Sequence, residues 1–136
     1  MRRRQTWLHR HRRIVSVVLA LLWVTAFVLT HIPAKGLHAP RVSDKFLHVV
    51  GYAGLAFVLG LTLQAYRVGA GKAAVTATLL LATYGIFDEY TQPMFRRTAS
   101  LHDWFADIAG TLLGLLGAQL LVWLLSPRRA PSRPAA

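Results

Sequence analysis

The chain has 136 residues, of which 54% are hydrophobic, and a net charge of +11. Its mean hydropathy is +0.41. That length allows one domain. The absence of cysteine excludes a disulfide framework and thiolate-based metal or redox chemistry.

Four apolar segments are predicted to cross a membrane. They cover residues 14–30, 46–66, 73–92 and 104–125. Each approaches the length of about 20 residues that crosses about 30 Å of hydrocarbon. A soluble bundle would have polar outer faces, whereas stretches such as 17–23 and 76–82 are apolar, or nearly so, all round. The sequence therefore predicts an all-α integral membrane bundle of four transmembrane helices over 14–125, between a basic tail (1–13) and a disordered tail (126–136).

Basic residues are distributed unevenly between the two ends of this bundle. Eleven of the 16 lie in the tails and in the link between the second and third helices, where there is no acidic residue. The remaining five share the opposite end with all five acidic residues. Because Lys and Arg are enriched on the cytoplasmic side, both termini are predicted to be cytoplasmic. The protein is then a multi-pass protein of the bacterial inner membrane, with its acidic cluster on the outer side.

The basic tails are interpreted as determinants of topology that also contact anionic lipid of the bilayer. A nucleic-acid partner is not expected, because the tails lack interleaved aromatic residues and flank spanning helices.

The fourth helix carries a stripe of acidic and small residues at helical spacing. Its members are Asp103, Asp107, Gly110, Gly114 and Gly117. Gly110 and Gly114 form a G-x-x-x-G pair, a surface that lets transmembrane helices approach closely. Both aspartates are therefore predicted to continue the packing face into the bundle interior.

The second and third helices carry polar stripes at the same end. The members are Asp44, His48 and Tyr52 on the second helix, and Tyr84, Asp88 and Gln92, with Glu89 beside them, on the third. Ionisable groups within a membrane usually face the bundle interior and mark function. Three stripes that each carry a carboxylate at the outer end predict one shared polar pocket. Arg97 is the expected counter-charge for its deeper acids.

Helix capping is a competing explanation for part of this cluster. Ser100 and Asp103 have the spacing of a capping box, and for them both explanations stay open. Ser43 followed by Asp44 has the form of another N-cap, and here capping is favoured. The two acids of the third helix lie near its C-terminal end, where the helix dipole disfavours them, so they need partners.

Three motifs at these positions are distinctive in combination. They read Asp44-Lys45-x-x-His48-x-x-x-Tyr52, then Tyr84-Gly85-x-x-Asp88-Glu89-x-x-Gln92, then Arg97-x-x-Ser100-x-x-Asp103-x-x-Ala106-Asp107-x-x-Gly110-x-x-x-Gly114. Together, over about residues 42–118, they resemble the VanZ-like family. Members are small multi-helix membrane proteins, and the namesake is associated with low-level resistance to the glycopeptide teicoplanin. The family usually has asparagine at the position of Asp107, and often Pro-Gly where this chain has Phe95-Arg96.

Two classes of function follow for the pocket, and binding is favoured. In the first, it binds an envelope lipid or a glycopeptide-like amphipathic ligand whose phosphate or carboxylate is held by Arg96, Arg97, Lys45 and His48. In the second, it is an intramembrane enzyme that uses a divalent metal or acid–base chemistry on an envelope lipid. The carboxylate oxygens and histidine nitrogens of the pocket suit Mg²⁺, Mn²⁺ or Zn²⁺ as metal ligands, although the chain has no H-E-x-x-H motif.

A third interpretation is that the polar cluster is purely structural and only stabilises the bundle. A homo-oligomer that completes the pocket is also considered.

Overall fold

A computed structural model describes residues 6–32 and 43–125, and every regular element in these ranges is helical. The elements are α1 (Thr6–Arg10), α2 (Arg12–His31), α3 (Asp44–Ala65), α4 (Ala70–Thr91), a 3₁₀ turn (Gln92–Phe95) and α5 (Leu101–Leu124). The predicted disordered tail lies outside the described residues, as do Lys35 and Arg41.

Within residues 6–32 and 43–125, four helices are long and apolar enough to cross a membrane, which confirms the predicted all-α bundle of four such helices. They are α2, α3, α4 together with the 3₁₀ turn, and α5. Each starts and ends within three residues of the segment predicted from the sequence. Large apolar side chains cover their outer surfaces, among them Leu21, Leu79 and Leu116, which are 64%, 64% and 67% exposed. Such surfaces are stable in lipid, because hydrocarbon solvates them and water does not.

The two ends of the bundle differ in charge. The acidic end is formed by the start of α3, the end of α4 and the start of α5, where the carboxylates lie. The basic end is closed by α1, which lies within the predicted basic tail. Leu8 of α1 is 7% exposed and packs with Leu61, Ala65 and Ala118. The imidazole of His9 lies 3.2 Å from the carbonyl oxygen of Ala65.

The most extensive helix contact joins α3 to α5, and glycines set its closeness. A Cβ atom added to Gly110 would collide with the backbone of Val49, with the Cα atom 3.0 Å away. One added to Gly114 would collide with the backbone of Ala53. The contact is looser at Gly117, where a Cβ would meet only a phenylalanine ring, at 3.4 Å. The first two glycines therefore bring the two polar stripes of α3 and α5 into direct contact.

Candidate functional site

A buried histidine–aspartate pair lies at the centre of the acidic end. His48 Nδ1 lies 2.8 Å from Asp107 Oδ1, and the two side chains are 2% and 0% exposed. The second ring nitrogen of His48 and Asp107 Oδ2 have no partner among the described residues. A hydrogen bond from Nδ1 to the carboxylate orients the ring and leaves Nε2 as an acceptor when the imidazole is neutral.

The acids at the end of α4 are held by hydrogen-bond donors. Gln92 Nε2 donates to Asp88 Oδ2 at 3.3 Å and to Glu89 Oε1 at 3.2 Å. The Thr30 hydroxyl donates to Asp88 Oδ1 at 2.9 Å, and the Ser100 backbone N–H donates to Glu89 Oε2 at 2.6 Å. Within 6–32 and 43–125, neither acid pairs with a lysine or an arginine. These donors orient both carboxylates, and the basic group that pairs with Asp88 among the described residues is the imidazole of His31, at 3.7 Å.

Arg97 binds Asp44 at the rim of the site. Its Nη2 donates to both carboxylate oxygens, at 2.7 and 2.6 Å, and the two side chains are 13% and 48% exposed. The prediction that Arg97 neutralises the deeper acids is therefore wrong. Arg97 follows the 3₁₀ turn, and from there its guanidinium lies at the bundle edge beside the first residue of α3.

The residues predicted to cap helices occupy the expected positions without making the expected bonds. Ser43 and Ser100 are the N-cap residues of α3 and α5, but neither side chain makes a cap hydrogen bond. Asp103 is buried in the first turn of α5. One ligand atom from each of Asp44, His48 and Asp103 lies within 4.8 Å of the others. Asp44 and Asp103 are thus placed beside His48, in the wall of the site.

His31 belongs to the acidic end and was not singled out in the sequence. It is 3% exposed, and its Nδ1 donates to the carbonyl oxygen of Phe27 at 2.7 Å. Its Nε2 lies 2.9 Å from Thr91 Oγ1, and Nδ1 lies 3.7 Å from Asp88 Oδ1. The available signal was a histidine that directly follows an apolar helix at the end where the acids lie.

Further polar atoms extend the site toward the middle of the bundle. Those that are buried without a partner in the described part of the chain are Tyr52 Oη, Tyr84 Oη and Thr111 Oγ1. Gln92 Oε1, at the acidic end itself, also has none there. Gly85 allows close approach here, because a Cβ at this position would lie 2.9 Å from Asp107 Oδ2 and 3.4 Å from Tyr52 Oη. An unpaired buried polar group costs about 1–3 kcal/mol. These four atoms, together with His48 Nε2 and Asp107 Oδ2, are called the polar column below. Each can form a hydrogen bond with a polar group of a ligand.

Charge is segregated between the interior and the rim of the site. Lys45, Arg96 and His102 are exposed, whereas the interior contains four carboxylates and two histidines, His31 and His48. The interior thus suits a cation or hydrogen-bond donors, and only the rim suits an anion.

A separate cavity of about 500 Å³ lies between α3, α4 and α5, away from the acidic end. Gly60, Gln64, Ala73 and Ala118 are among its lining residues, and none of the lining residues is ionisable. It offers no acid–base or metal-binding group and is not part of the candidate site.

Comparison with known proteins identifies no relative: no protein-family model, no curated protein and no solved structure matches this chain.

Proposed function

We propose that this chain is a bacterial envelope protein that binds the polar group of an envelope lipid or amphipathic ligand at its acidic end, on the outer side of the inner membrane. The observation that carries the proposal is the set of buried polar atoms that have no partner within residues 6–32 and 43–125, contributed by α3, α4, the 3₁₀ turn and α5. These atoms accept and donate hydrogen bonds, and Lys45 and Arg96 at the rim hold a phosphate or carboxylate of the same ligand.

The depth of the column explains why the ligand is amphipathic. Asp44 and Tyr52 are eight residues apart on α3, which corresponds to about 12 Å along a helix. A ligand that contacts both residues leaves water and enters the boundary of the hydrocarbon region with its polar group. Sugar hydroxyls or peptide amides then replace water as partners of the buried acceptors.

The backbone at Arg96 supports the resemblance to the VanZ-like family. Arg96 has φ 60° and ψ 32°, in the left-handed region that favours glycine. The family often has glycine at this position, directly before the arginine that matches Arg97. On this basis we propose that the ligand is a teicoplanin-like glycopeptide or an envelope lipid, and that the protein lowers susceptibility to teicoplanin.

The test compares teicoplanin susceptibility in bacteria that produce the wild type or a variant at equal membrane levels. Asp88→Asn keeps the shape of a buried acceptor and removes its charge, so it should abolish protection. His102→Gln changes an exposed histidine at the same end and should retain protection. Asp107→Asn restores the residue usual in the family, so protection that survives it would assign the essential charge to α4.

Ligand binding is measured directly by mass spectrometry of lipids that copurify in mild detergent. The wild type should enrich one class of phosphate- or carboxylate-bearing lipid, and Asp88→Asn should lose it. Identical lipid profiles, together with unchanged susceptibility, would refute the proposal.

An intramembrane enzyme is the second candidate, favoured by the geometry of the His48–Asp107 pair. A carboxylate that orients an imidazole whose other nitrogen is free is the arrangement of a general base. In that case purified protein converts an envelope-lipid extract to a new product, and His48→Gln abolishes the conversion. Unaltered lipid after prolonged incubation with the wild type would leave binding as the function.

A further inference from the structure

We infer that the acidic end binds a divalent metal ion through His48, Asp88 and Glu89, with Asp107 as the residue that positions the histidine. The inference rests on the proposed function, since it treats the acidic end as a binding site. It adds a metal ion that binds both the carboxylates of the interior and the anionic group of the ligand. Metal binding is nevertheless measurable without that ligand.

The three ligand residues are close together and buried. One donor atom from each lies within 4.8 Å of the other two. Their residues are 3%, 0% and 8% exposed. With metal–ligand bonds of about 2.0–2.2 Å, donor atoms of one ion are at most about 4.4 Å apart. Inward shifts of a few tenths of an ångström therefore close the site around an ion.

His48 is oriented as metal-bound histidines are. Such a histidine usually donates its other ring N–H to a carboxylate, which fixes the tautomer and the ring plane. Here Asp107 takes that role at 2.8 Å, and Nε2 has no partner among the residues described. A ring nitrogen of this imidazole lies within 4.8 Å of an oxygen of each carboxylate. The buried nitrogen without a partner is an observation independent of the number of acids.

Charge balance favours a cation at this position. Asp88, Glu89, Asp103 and Asp107 are buried together with His31 and His48, so the buried acids outnumber the buried bases four to two even if both imidazoles are protonated. The described arginines and lysines lie at the rim or elsewhere. Uncompensated carboxylates in a medium of low dielectric constant are strongly disfavoured. A divalent ion neutralises two of them, while the donors on Gln92 and on the Ser100 backbone keep their hydrogen bonds, because each carboxylate oxygen has a second lone pair.

The neighbouring set of Asp44, His48 and Asp103 is the weaker position for the ion. Asp44 is 48% exposed and its two oxygens already bind Arg97. One imidazole nitrogen with carboxylate oxygens suits Mn²⁺ or Zn²⁺. Three protein ligands leave coordination positions open, and the phosphate or carboxylate of the amphipathic ligand can occupy one of them.

The test uses the full chain in mild detergent, with elemental analysis of the purified protein and thermal unfolding during titration with Mn²⁺, Zn²⁺ or Mg²⁺. The wild type should retain metal after dialysis, melt at a higher temperature with Mn²⁺ or Zn²⁺, and lose this gain with EDTA. Asp88→Asn and Glu89→Gln should each weaken metal affinity at least tenfold. Asp107→Asn should weaken it about 10–100-fold, as removal of an orienting partner does.

Control variants separate loss of metal from loss of fold. His102→Gln should keep the affinity of the wild type. In EDTA, Asp88→Asn should melt at the same temperature as the wild type or higher, because it removes one of several like charges. A variant that melts lower in EDTA and binds metal normally would overturn the inference.

Two further outcomes decide the assignment. A wild type that neither retains metal nor responds to the three ions overturns the inference, and the lipid profile then tests the proposed function independently. Loss of metal in Asp44→Asn with normal binding in Asp88→Asn also overturns it, because the ion would then occupy the neighbouring set.

Discussion

The substitution Gly110→Ala should destabilise the bundle although it adds only one methyl group. That methyl would lie 3.0 Å from the Cα atom of Val49 and closer still to its carbonyl oxygen. Carbon atoms in favourable contact are about 3.5–4.0 Å apart. A backbone cannot rotate away as a side chain can, so α3 and α5 must separate by at least about 0.5 Å at this level.

The expected cost follows from this separation. A radial gap of 0.5–1 Å forfeits about a quarter to a half of the dispersion energy of each contact, and α3–α5 is the most extensive helix contact of the bundle. Overpacked cores typically lose about 1–3 kcal/mol. At about 4 °C for each kcal/mol, the melting temperature should fall by about 4–12 °C. Metal binding should weaken too, because Asp107 lies one turn from the altered residue.

The assay is thermal unfolding in detergent, with Gly51→Ala as the matched control. Gly51 is on α3, and a Cβ there would meet nothing within 4 Å. This control should be neutral, or up to about 1 kcal/mol more stable, because alanine has the higher helix propensity. Equal melting temperatures for the two variants would show that close approach at Gly110 does not hold the bundle together.

Three other predictions address topology, a hydrogen bond and the wall of the site. A cysteine introduced at Gly69 should be shielded from a membrane-impermeant thiol reagent in intact cells, whereas one introduced at Thr98 should react. The reverse labelling pattern would invert the predicted topology. The chain has no native cysteine that would react in this assay. Thr30→Val should cost about 1–3 kcal/mol, because it removes a bond to a buried carboxylate. Thr83→Val, which loses only a bond within its own helix, should change stability by less than about 0.5 kcal/mol, and equal effects would contradict the reasoning. Gly85→Ala should weaken metal binding, because its methyl would lie 2.9 Å from a carboxylate oxygen of Asp107. Unchanged metal affinity would show that the neighbouring side chains move aside without disturbing the site.

The faces and depths of the site residues were predictable because α3, α4 and α5 are regular helices. Helical spacing alone places His48 one turn below Asp44, and Asp107 one turn below Asp103. The burial of Asp107 follows from the same spacing together with the glycines that continue its stripe, and the burial of His48 follows from its place on the stripe of α3 that faces them.

Pairing could not be predicted, because it depends on how far each helix is rotated and shifted against its neighbours. Arg97 was within reach of several acids in the sequence pattern, and only the path of the 3₁₀ turn directs it to Asp44. His31 was missed for a related reason. The hydropathy pattern ends the first helix at residue 30, one residue before His31. Only the tertiary structure shows that the His31 ring packs against Phe27 and Phe95.

The separation of His48 and Asp107 along the chain has a consequence for biogenesis. The partners are 59 residues apart, and at about 5–20 residues per second the ribosome needs about 3–12 s to make the intervening chain. During this interval the imidazole of α3 has no access to its carboxylate partner on α5. A nascent chain arrested before α5 therefore presents an imidazole without this partner, and we expect membrane proteases to remove such chains faster than completed ones.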